Sequence, residues 1–420
     1  MNSEATLLII GASHAGVELA FAARQQGWTG PVTLIGAENS LPYQRPPLSK
    51  AYLSGTATDD SLQLRPAQAY AEADVTLRPG VRVEQIDRLS RTVRLCDGST
   101  LAYTKLALCT GGRPRTVIAE GMRADATPPN LHYLRTRADA DGIRGDLRQG
   151  ARLVVIGGGY VGLEVAASAR KLGAEVTVLE AQHRVLARVT GPELSAFYET
   201  IHREAGVTIR TGVAVQRIIC SDTGAVEAVA CSDGTTLEAD VVLAGIGMLP
   251  NVELAQAAGL DVDGGIVVNE FSGTSDPDIV AAGDCTVHDS ALYGRRIRLE
   301  SVPNALEQAR AAAAVLCGKP RANGSIPWFW SDQYDLKLQM VGLSEGYDRC
   351  ILRGAVETRS FCAFYLRDGM LIAADAVNRP MEFMLSKRAV GKAGPLDVEA
   401  LADASIPLKE VLAPQPRAIV

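Results

Sequence analysis

LLIIGASHAGVELAFAAR, Leu7–Arg24, and LVVIGGGYVGLEVAASAR, Leu153–Arg170, are one pattern written twice, 146 residues apart. Each copy opens on a short run of Ile, Leu and Val, as a parallel strand buried on both faces does. A glycine-rich turn follows, then Ala-rich sequence with apolar residues at helical spacing. A second apolar run closes each copy, Val32–Ile35 in the first and Val176–Leu179 in the second. Strand, turn, helix and strand, repeated, predict an α/β protein with two Rossmann-like dinucleotide-binding domains.

The glycines stand where a pyrophosphate requires them. Gly157 permits the tight turn, Gly159 lets the ligand approach the backbone, and Gly162 lets helix and strand pack closely. The free N–H groups of the helix start, around Tyr160 and Val161, then face the phosphates. In the first copy Gly11 and Gly16 are kept, but Ser13 replaces the middle glycine, and His14 and Ala15 complete the loop. His14 is within reach of a ligand, although a solvated loop histidine is the simpler reading. Each unit should end in an acid that holds a ribose hydroxyl. Glu180 follows its strand directly, which favours NADH over NADPH, with Arg184 nearby as a counter-signal. Glu38 fills the role in the first unit, two positions further along than Glu180. Two dinucleotide sites in one chain are most simply a hydride donor and an acceptor cofactor.

With 420 residues and 47% hydrophobic composition the chain has room for two or three domains. The net charge of −6 gives no global attraction to nucleic acid or to an anionic membrane. Eight cysteines are present, and the closest pair, Cys220 and Cys231, are eleven apart. No CxxC, CxxxxC or metal-ligand spacing exists, so free thiols in a reducing cytoplasm and no bound metal are expected. Met-Asn-Ser-Glu lacks a basic leader, and the apolar stretch Leu7–Ala23 is broken by Gly11, Gly16 and Glu18. Neither a signal peptide nor a membrane span is expected there.

Further motifs narrow the reading. LALCTGGRPR (Leu106–Arg115), VVLAGIGMLPN (Val241–Asn251) and TSDPDIVAAGDC (Thr274–Cys285) resemble the signatures of two-dinucleotide flavoproteins with a glutathione-reductase-like fold. PYQRPPLSKAYL (Pro42–Leu53), ESVPNALEQAR (Glu300–Arg310), PWFWSDQY (Pro327–Tyr334), VNRP (Val377–Pro380) and PLKE (Pro407–Glu410) resemble the NADH-dependent ferredoxin reductases of bacterial oxygenase systems. The resemblance runs over nearly the whole chain. It implies an FAD domain of residues 1–112 and 248–325, an NAD domain of 113–247, and a C-terminal α+β domain of 326–420. Alternation in FCAFYL and MLIAADAV points to antiparallel strands backed by a helix in that last part. The Pro- and Ala-rich tail after Leu412 is expected to be mobile.

The resemblance also implies site residues. FAD would be held by Gly11, Ser13, His14, Ala15, Gly16, Glu38, Val83, Thr110, Gly111, Arg135 and Asp284, with Val302 and Pro303 lining its ring. Lys50 would lie by the flavin N5, Glu164 near the nicotinamide and paired with Lys50, and Trp330 on the acceptor side. NADH would be held by Gly157, Gly159, Tyr160, Val161, Gly162, Glu164, Glu180 and Gly247. Ala37 stands where a similar reductase has an acid, and this leaves Glu38 as the implied ribose ligand.

The implied reaction takes hydride from NADH to FAD and single electrons on to a 2Fe–2S ferredoxin. No cysteine lies between residues 40 and 60, so electrons are expected to leave the flavin directly. A ferredoxin is acidic and calls for a basic dock. Six basic residues run from Arg295 to Arg321, opposed in that stretch only by Glu300 and Glu307. The matched motifs single out Arg310 and Lys409, together with Trp330, as partner contacts. The competing readings are an NADH oxidase or a quinone or monodehydroascorbate reductase of the same fold, and a redox-sensing flavoprotein resembling apoptosis-inducing factor. Oligomeric state is open, with a monomer expected.

Overall fold

The computed structural model describes residues 5–122 and 127–413. The chain divides into two compact units. One comprises Met1–Gln44, Asp59–Arg113 and Met248–Pro327; the other comprises Arg45–Thr58, Pro114–Gly247 and Trp328–Val420. The tail expected to be mobile begins at the edge of the described residues and lies almost wholly outside them.

In the first unit a five-stranded parallel sheet has the order Ile279–Ala281, Lys105–Leu108, Leu7–Ile10, Val32–Ile35, Val75–Arg78. The strand Leu7–Ile10 is buried along its length, as its unbroken apolar run requires of a central strand covered on both faces. Each fully buried Leu or Ile here contributes roughly 2 kcal/mol. The helices His14–Gln25 and Val302–Leu316 lie on this sheet and pack through small residues, Ala15, Ala20 and Ala23 with Ala305, Ala309 and Ala312. Alanines let the two backbones come close. The chain passes from Leu34 on one side of the central strand to Ala107 on the other, so its direction of travel reverses there. Ligands of such sheets bind outside the carboxyl ends at that reversal.

The second unit repeats the plan, with parallel strands in the order Val207–Thr211, Glu175–Glu180, Arg152–Ile156, Val241–Ala244, Leu131–His132. An antiparallel sheet of Trp328–Gln333, Leu336–Gly342, Met370–Val377, Phe361–Arg367 and Arg349–Arg353 completes it, backed by the helix Pro380–Ala389. One hydrophobic cluster joins Leu53, Val155, Leu163 and Val178 to Leu336, Leu338 and Phe361. That shared core groups Arg45–Thr58 and the antiparallel sheet with residues 114–247, where motif boundaries alone suggested three separate parts.

The helix Tyr160–Lys171 is buried from Gly162 to Ala169, a polar Glu164 and Ser168 included. A helix buried all round needs partners on both sides. Here they are its own sheet and the pieces 46–49 and 328–333. A second buried polar group ties the antiparallel sheet to the loop at Thr190. Asp375 accepts hydrogen bonds from Thr190 Oγ1 at 2.5 Å and the Tyr365 hydroxyl at 2.8 Å, while Gly191 N–H donates to Tyr365. Burial pushes the Asp375 carboxyl up to about 6. Among the described residues no helix is long and apolar enough to cross a membrane.

Candidate functional site

In the first unit the expected FAD residues gather at the carboxyl ends of the parallel strands. The turn of Gly11, Ser13, His14, Ala15 and Gly16 follows Leu7–Ile10; Glu38 follows Val32–Ile35; Thr110 and Gly111 follow Lys105–Leu108; and Asp284 follows Ile279–Ala281. Steric room dictates the glycines. A Cβ on Gly11, whose φ is +111°, would lie 2.0 Å from the Cys109 carbonyl oxygen, and one on Gly16 would lie 1.9 Å from that of Gly11. Ser13 is the N-cap, yet its side chain bonds to no helix N–H. The Tyr43 hydroxyl donates to Glu38 and fixes its carboxylate. Thr110 Oγ1 donates to the Asn251 carbonyl at 2.7 Å, and the Asn251 amide returns a bond to the Thr110 carbonyl at 2.9 Å. Val83 is buried at the start of Val83–Asp87. Val302 and Pro303 form the first turn of their helix, which Ser301 caps by accepting from Asn304 N–H. These residues line one end of the parallel sheet, where Gly11 and Gly16 have no room for a side chain.

Lys50, Arg135 and Trp330, expected with FAD, belong to the second unit. Arg135 is held by its backbone, its N–H donating to Asp139 at 3.0 Å and its carbonyl accepting from Arg45 at 2.6 Å. Trp330 is half-buried, with Trp328 at 5.8 Å and Phe329 at 6.2 Å between ring centroids.

The second glycine turn meets the same steric demands. A Cβ on Gly157 would lie 2.5 Å from the Gly245 oxygen, and one on Gly162 would lie 2.2 Å from that of Gly157. Gly159 differs: among the described residues nothing lies within 4 Å of its Cβ direction, so this side of the turn has room for a ligand. Val161 is exposed beside it, and Tyr160 packs on Phe329 with centroids 5.0 Å apart. Glu180 ends its strand and accepts from Gly158 N–H and Gln182 N–H, each at 2.8 Å. The carboxylate is thereby fixed against the turn. Arg184 is engaged elsewhere, donating to the Thr190 carbonyl at 2.9 Å, Ser195 Oγ at 2.6 Å and the Ala187 carbonyl at 3.0 Å. Gly247, with φ +106°, accepts from Arg115 N–H at 2.9 Å.

Lys50 and Glu164 meet at 2.7 Å, with Lys50 17% exposed and Glu164 3%. The proline pair Pro46–Pro47 opens a 3-10 turn that ends on Lys50, whose ammonium also donates to the Pro46 carbonyl at 3.2 Å. Two further donors reach Glu164: Ser49 Oγ at 2.5 Å on Oε2, and Ser331 Oγ at 2.6 Å on Oε1. Ser168 Oγ donates to the Ser49 carbonyl at 2.8 Å and pins that segment to the helix. Sequence reasoning found the pair and missed the two serines. Their signal was present in part. In WFWSDQ side chains alternate in direction, so Ser331 shares a face with Phe329 and Gln333, and a serine on a core-facing side calls for a polar partner.

The basic stretch needs a correction. Glu300 and Glu307 are not its only opponents, because folding brings in acids distant in sequence. Arg296 pairs with Asp263 at 2.7 Å and Asp289 at 3.1 Å, and Arg310 with Glu18 at 2.7 Å and Glu307 at 2.9 Å. Arg298 pairs with Glu300 at 2.6 Å, and Lys319 donates to the Gln26 carbonyl at 2.7 Å. Lys409 is exposed on the short helix Leu408–Val411.

Comparison with known proteins places this geometry among relatives. Residues 5–309 match the family described as pyridine nucleotide-disulphide oxidoreductase, and residues 328–412 match that described as reductase C-terminal. The chain is 52% identical to putidaredoxin reductase CamA of Pseudomonas putida, over 98% of each chain. It is 42% identical to rhodocoxin reductase of Rhodococcus erythropolis, over 97% of this chain and 94% of that one. Among solved structures, it superposes on putidaredoxin reductase in its covalent complex with putidaredoxin at a TM-score of 0.94, with 52% identity over 98% of this chain and 99% of that one. The ferredoxin reductase for the CYP199A2 system of Rhodopseudomonas palustris gives a TM-score of 0.93 at 41% identity, over 97% and 100%.

Proposed function

This chain belongs to the pyridine nucleotide-disulphide oxidoreductase family, among its ferredoxin reductases, and from that premise we propose that it carries electrons from NADH through FAD to a 2Fe–2S ferredoxin feeding an oxygenase. It is an FAD- and NADH-dependent oxidoreductase. Residues 1–112 and 248–325 are proposed to hold FAD, 113–247 NADH, and 326–420 to complete the acceptor side. The eight cysteines are all free thiols, which suits a cytoplasmic enzyme, and we read it as a monomer.

The observation that carries the reading is the Lys50–Glu164 pair, whose carboxylate stands on a helix that opens at a glycine turn. Disulfide-reducing chemistry would need cysteines at this kind of position, and residues 40–60 contain none. FAD, when bound, accepts hydride from NADH and yields its electrons one at a time. The chain supplies position and charge. The turn Gly11–Gly16 admits one pyrophosphate and Gly157–Gly162 the other. Glu38 and Glu180 would accept ribose hydroxyls, and Asp284 would hold the ribityl chain. Val302 and Pro303 would line the ring. Lys50 would place a cation beside the bound flavin, and a cation held in position stabilises developing negative charge without reorganising. Glu164 holds that ammonium in place. Arg184, spent on carbonyls, leaves Glu180 to repel a 2′-phosphate. Trp330, Arg310 and Lys409 are the side chains that would each contact the ferredoxin.

Purified FAD-loaded protein tests this directly. With NADH as donor, turnover with a 2Fe–2S ferredoxin should exceed that with oxygen or a short-chain quinone by at least about tenfold in kcat/KM. Equal or faster turnover with oxygen or quinone would replace this reading by that of an oxidase or quinone reductase.

A further inference from the structure

Behind the Lys50–Glu164 pair runs a line of buried polar side chains. Ser331 Oγ lies 2.6 Å from Glu164 Oε1, Gln333 Nε2 lies 3.1 Å from Ser331 Oγ, and His202 Nε2 lies 2.8 Å from Gln333 Oε1. The Tyr334 hydroxyl lies 3.0 Å from His202 Nδ1. Ser331 and His202 are wholly buried, and Gln333 is 1% exposed.

Elementary donor counting gives this line a single direction. An ion-paired carboxylate only accepts, so Ser331 must donate to Glu164. The Ser331 oxygen is then free to accept, which assigns the amide nitrogen of Gln333 to it and turns the amide oxygen toward His202. That oxygen needs a donor, so His202 carries its proton on Nε2 and accepts from Tyr334 at Nδ1. The ring is neutral, as expected where burial pushes an imidazole down to about 4. Every bond from Tyr334 inward therefore points at Glu164.

Stability alone does not call for such a line. Apolar residues of similar volume pack a core as well or better than buried polar ones. What the line does is remove a freedom. The last torsion of a glutamate is broad and nearly two-fold, so an unpinned carboxylate swings. With Ser331 on one oxygen and Ser49 and Lys50 on the other, both oxygens are fixed and the ammonium with them.

We propose that Ser331, locked by Gln333 and His202, is a positioning residue for the hydride step, holding the Glu164 carboxylate in the orientation that places the Lys50 ammonium. The proposal rests on the reading that Lys50 serves that step. The test uses the full-length, FAD-loaded protein with two readouts. Competitive acetylation, followed by mass spectrometry, compares the reactivity of Lys50 with that of the exposed Lys337. Stopped-flow absorbance gives the limiting rate of flavin reduction and its dependence on NADH.

Ser331→Ala leaves a buried carboxylate oxygen without its donor. It should raise Lys50 labelling severalfold and lower the limiting rate about tenfold, with NADH affinity changed less than about twofold. Ser331→Thr keeps the hydroxyl and should restore both. Gln333→Leu should give the same changes more weakly, and it replaces Ser331→Ala if that variant does not fold. Wild-type Lys50 labelling and wild-type limiting rate in Ser331→Ala, or in Gln333→Leu as its replacement, overturn the proposal, and so does a Ser331→Thr variant as impaired as the alanine. Lys50→Ala reducing at wild-type speed would instead remove the underlying reading, whatever the labelling shows.

Discussion

Glu18 and Glu164 occupy the same position in the two repeated helices, in closely similar local sequence, yet their fates differ. Glu18 pairs with Arg310 near the surface of its unit, its side chain 21% exposed and its partner 50%. Glu164 is 3% exposed and receives an ammonium and two hydroxyls. Neighbours brought from elsewhere in the chain make the difference. An exposed pair contributes at most about 1 kcal/mol, whereas a buried charge that loses its partner costs several. The repeat thus supplies a carboxylate at a fixed place on a helix, and what covers the helix decides whether it can do chemistry.

The strongest way to break this contrast is to remove a partner or acid from each side. Lys50→Ala should slow NADH-driven flavin reduction about a hundredfold while FAD stays bound. Glu18→Gln should stay within about twofold of wild type. Equal slowing by both, seen by stopped-flow absorbance, would show that the shared position matters and burial does not.

The buried side of the comparison also carries a pH signature. His202 is held at about 4 against 6.5, so the unfolded chain takes up its proton first. That contribution to stability is complete above pH 6.5 and is lost as pH falls toward 4. Asp375 is raised from 3.8 to about 6, so its contribution is present below pH 3.8 and is lost as pH rises toward 6. The two slopes oppose each other, and wild-type stability should change little between pH 6.5 and 5. Asp375→Asn should uncover a loss of about 2 kcal/mol over that range, and His202→Asn a gain of about 1 kcal/mol. Urea melts at the two pH values measure this; three equal slopes would remove both groups from the account.

The acids that close the two glycine-turn units form the next contrast. NADH should be preferred to NADPH at least about tenfold in kcat/KM, close to 1.4 kcal/mol, and Glu180→Ala should shrink that preference. Glu38→Ala should leave it intact and weaken FAD retention instead. An unchanged preference in Glu180→Ala moves coenzyme selection to other residues.

The smallest effect belongs to the exposed pair itself. Arg310→Glu should lower ferredoxin reduction severalfold and flatten its salt dependence, with NADH–ferricyanide turnover nearly unchanged. Lys409→Glu should act in the same direction and more weakly. Ferredoxin turnover indifferent to both would leave Arg310 as no more than the partner of Glu18 and Glu307.

Local signals explain what could be read in advance. Strand runs such as Leu7–Ile10, the glycines at 16 and 162, which crowd the turns just before them, and Glu180 at a strand end are each set by residues close in sequence. Pairings between distant segments were not legible that way. Ser331 lies inside PWFWSDQY and His202 in no quoted motif, and the meaning of both lies in their partners Glu164 and Gln333. Likewise Asp263, Asp289 and Glu18 turn up beside arginines that look unopposed in a linear count. The grouping of Arg45–Thr58 with the second unit follows from Leu53 in its core and from Ser49 on Glu164, contacts that no stretch of sequence displays.

Those separations have a temporal meaning as well. Ser49 precedes Glu164 by 115 residues, and Ser331 follows it by 167. At roughly 5–20 residues per second of synthesis, Ser331 emerges on the order of ten seconds or more after Glu164. Until then the helix has no strand Trp328–Gln333 to cover it, and its carboxylate faces water. Closing such long loops adds little entropy beyond that of shorter ones, so the delay is one of order of events more than of energy. The newborn chain can therefore build both glycine turns early, but it can bury the Lys50–Glu164 pair only when its last sheet arrives.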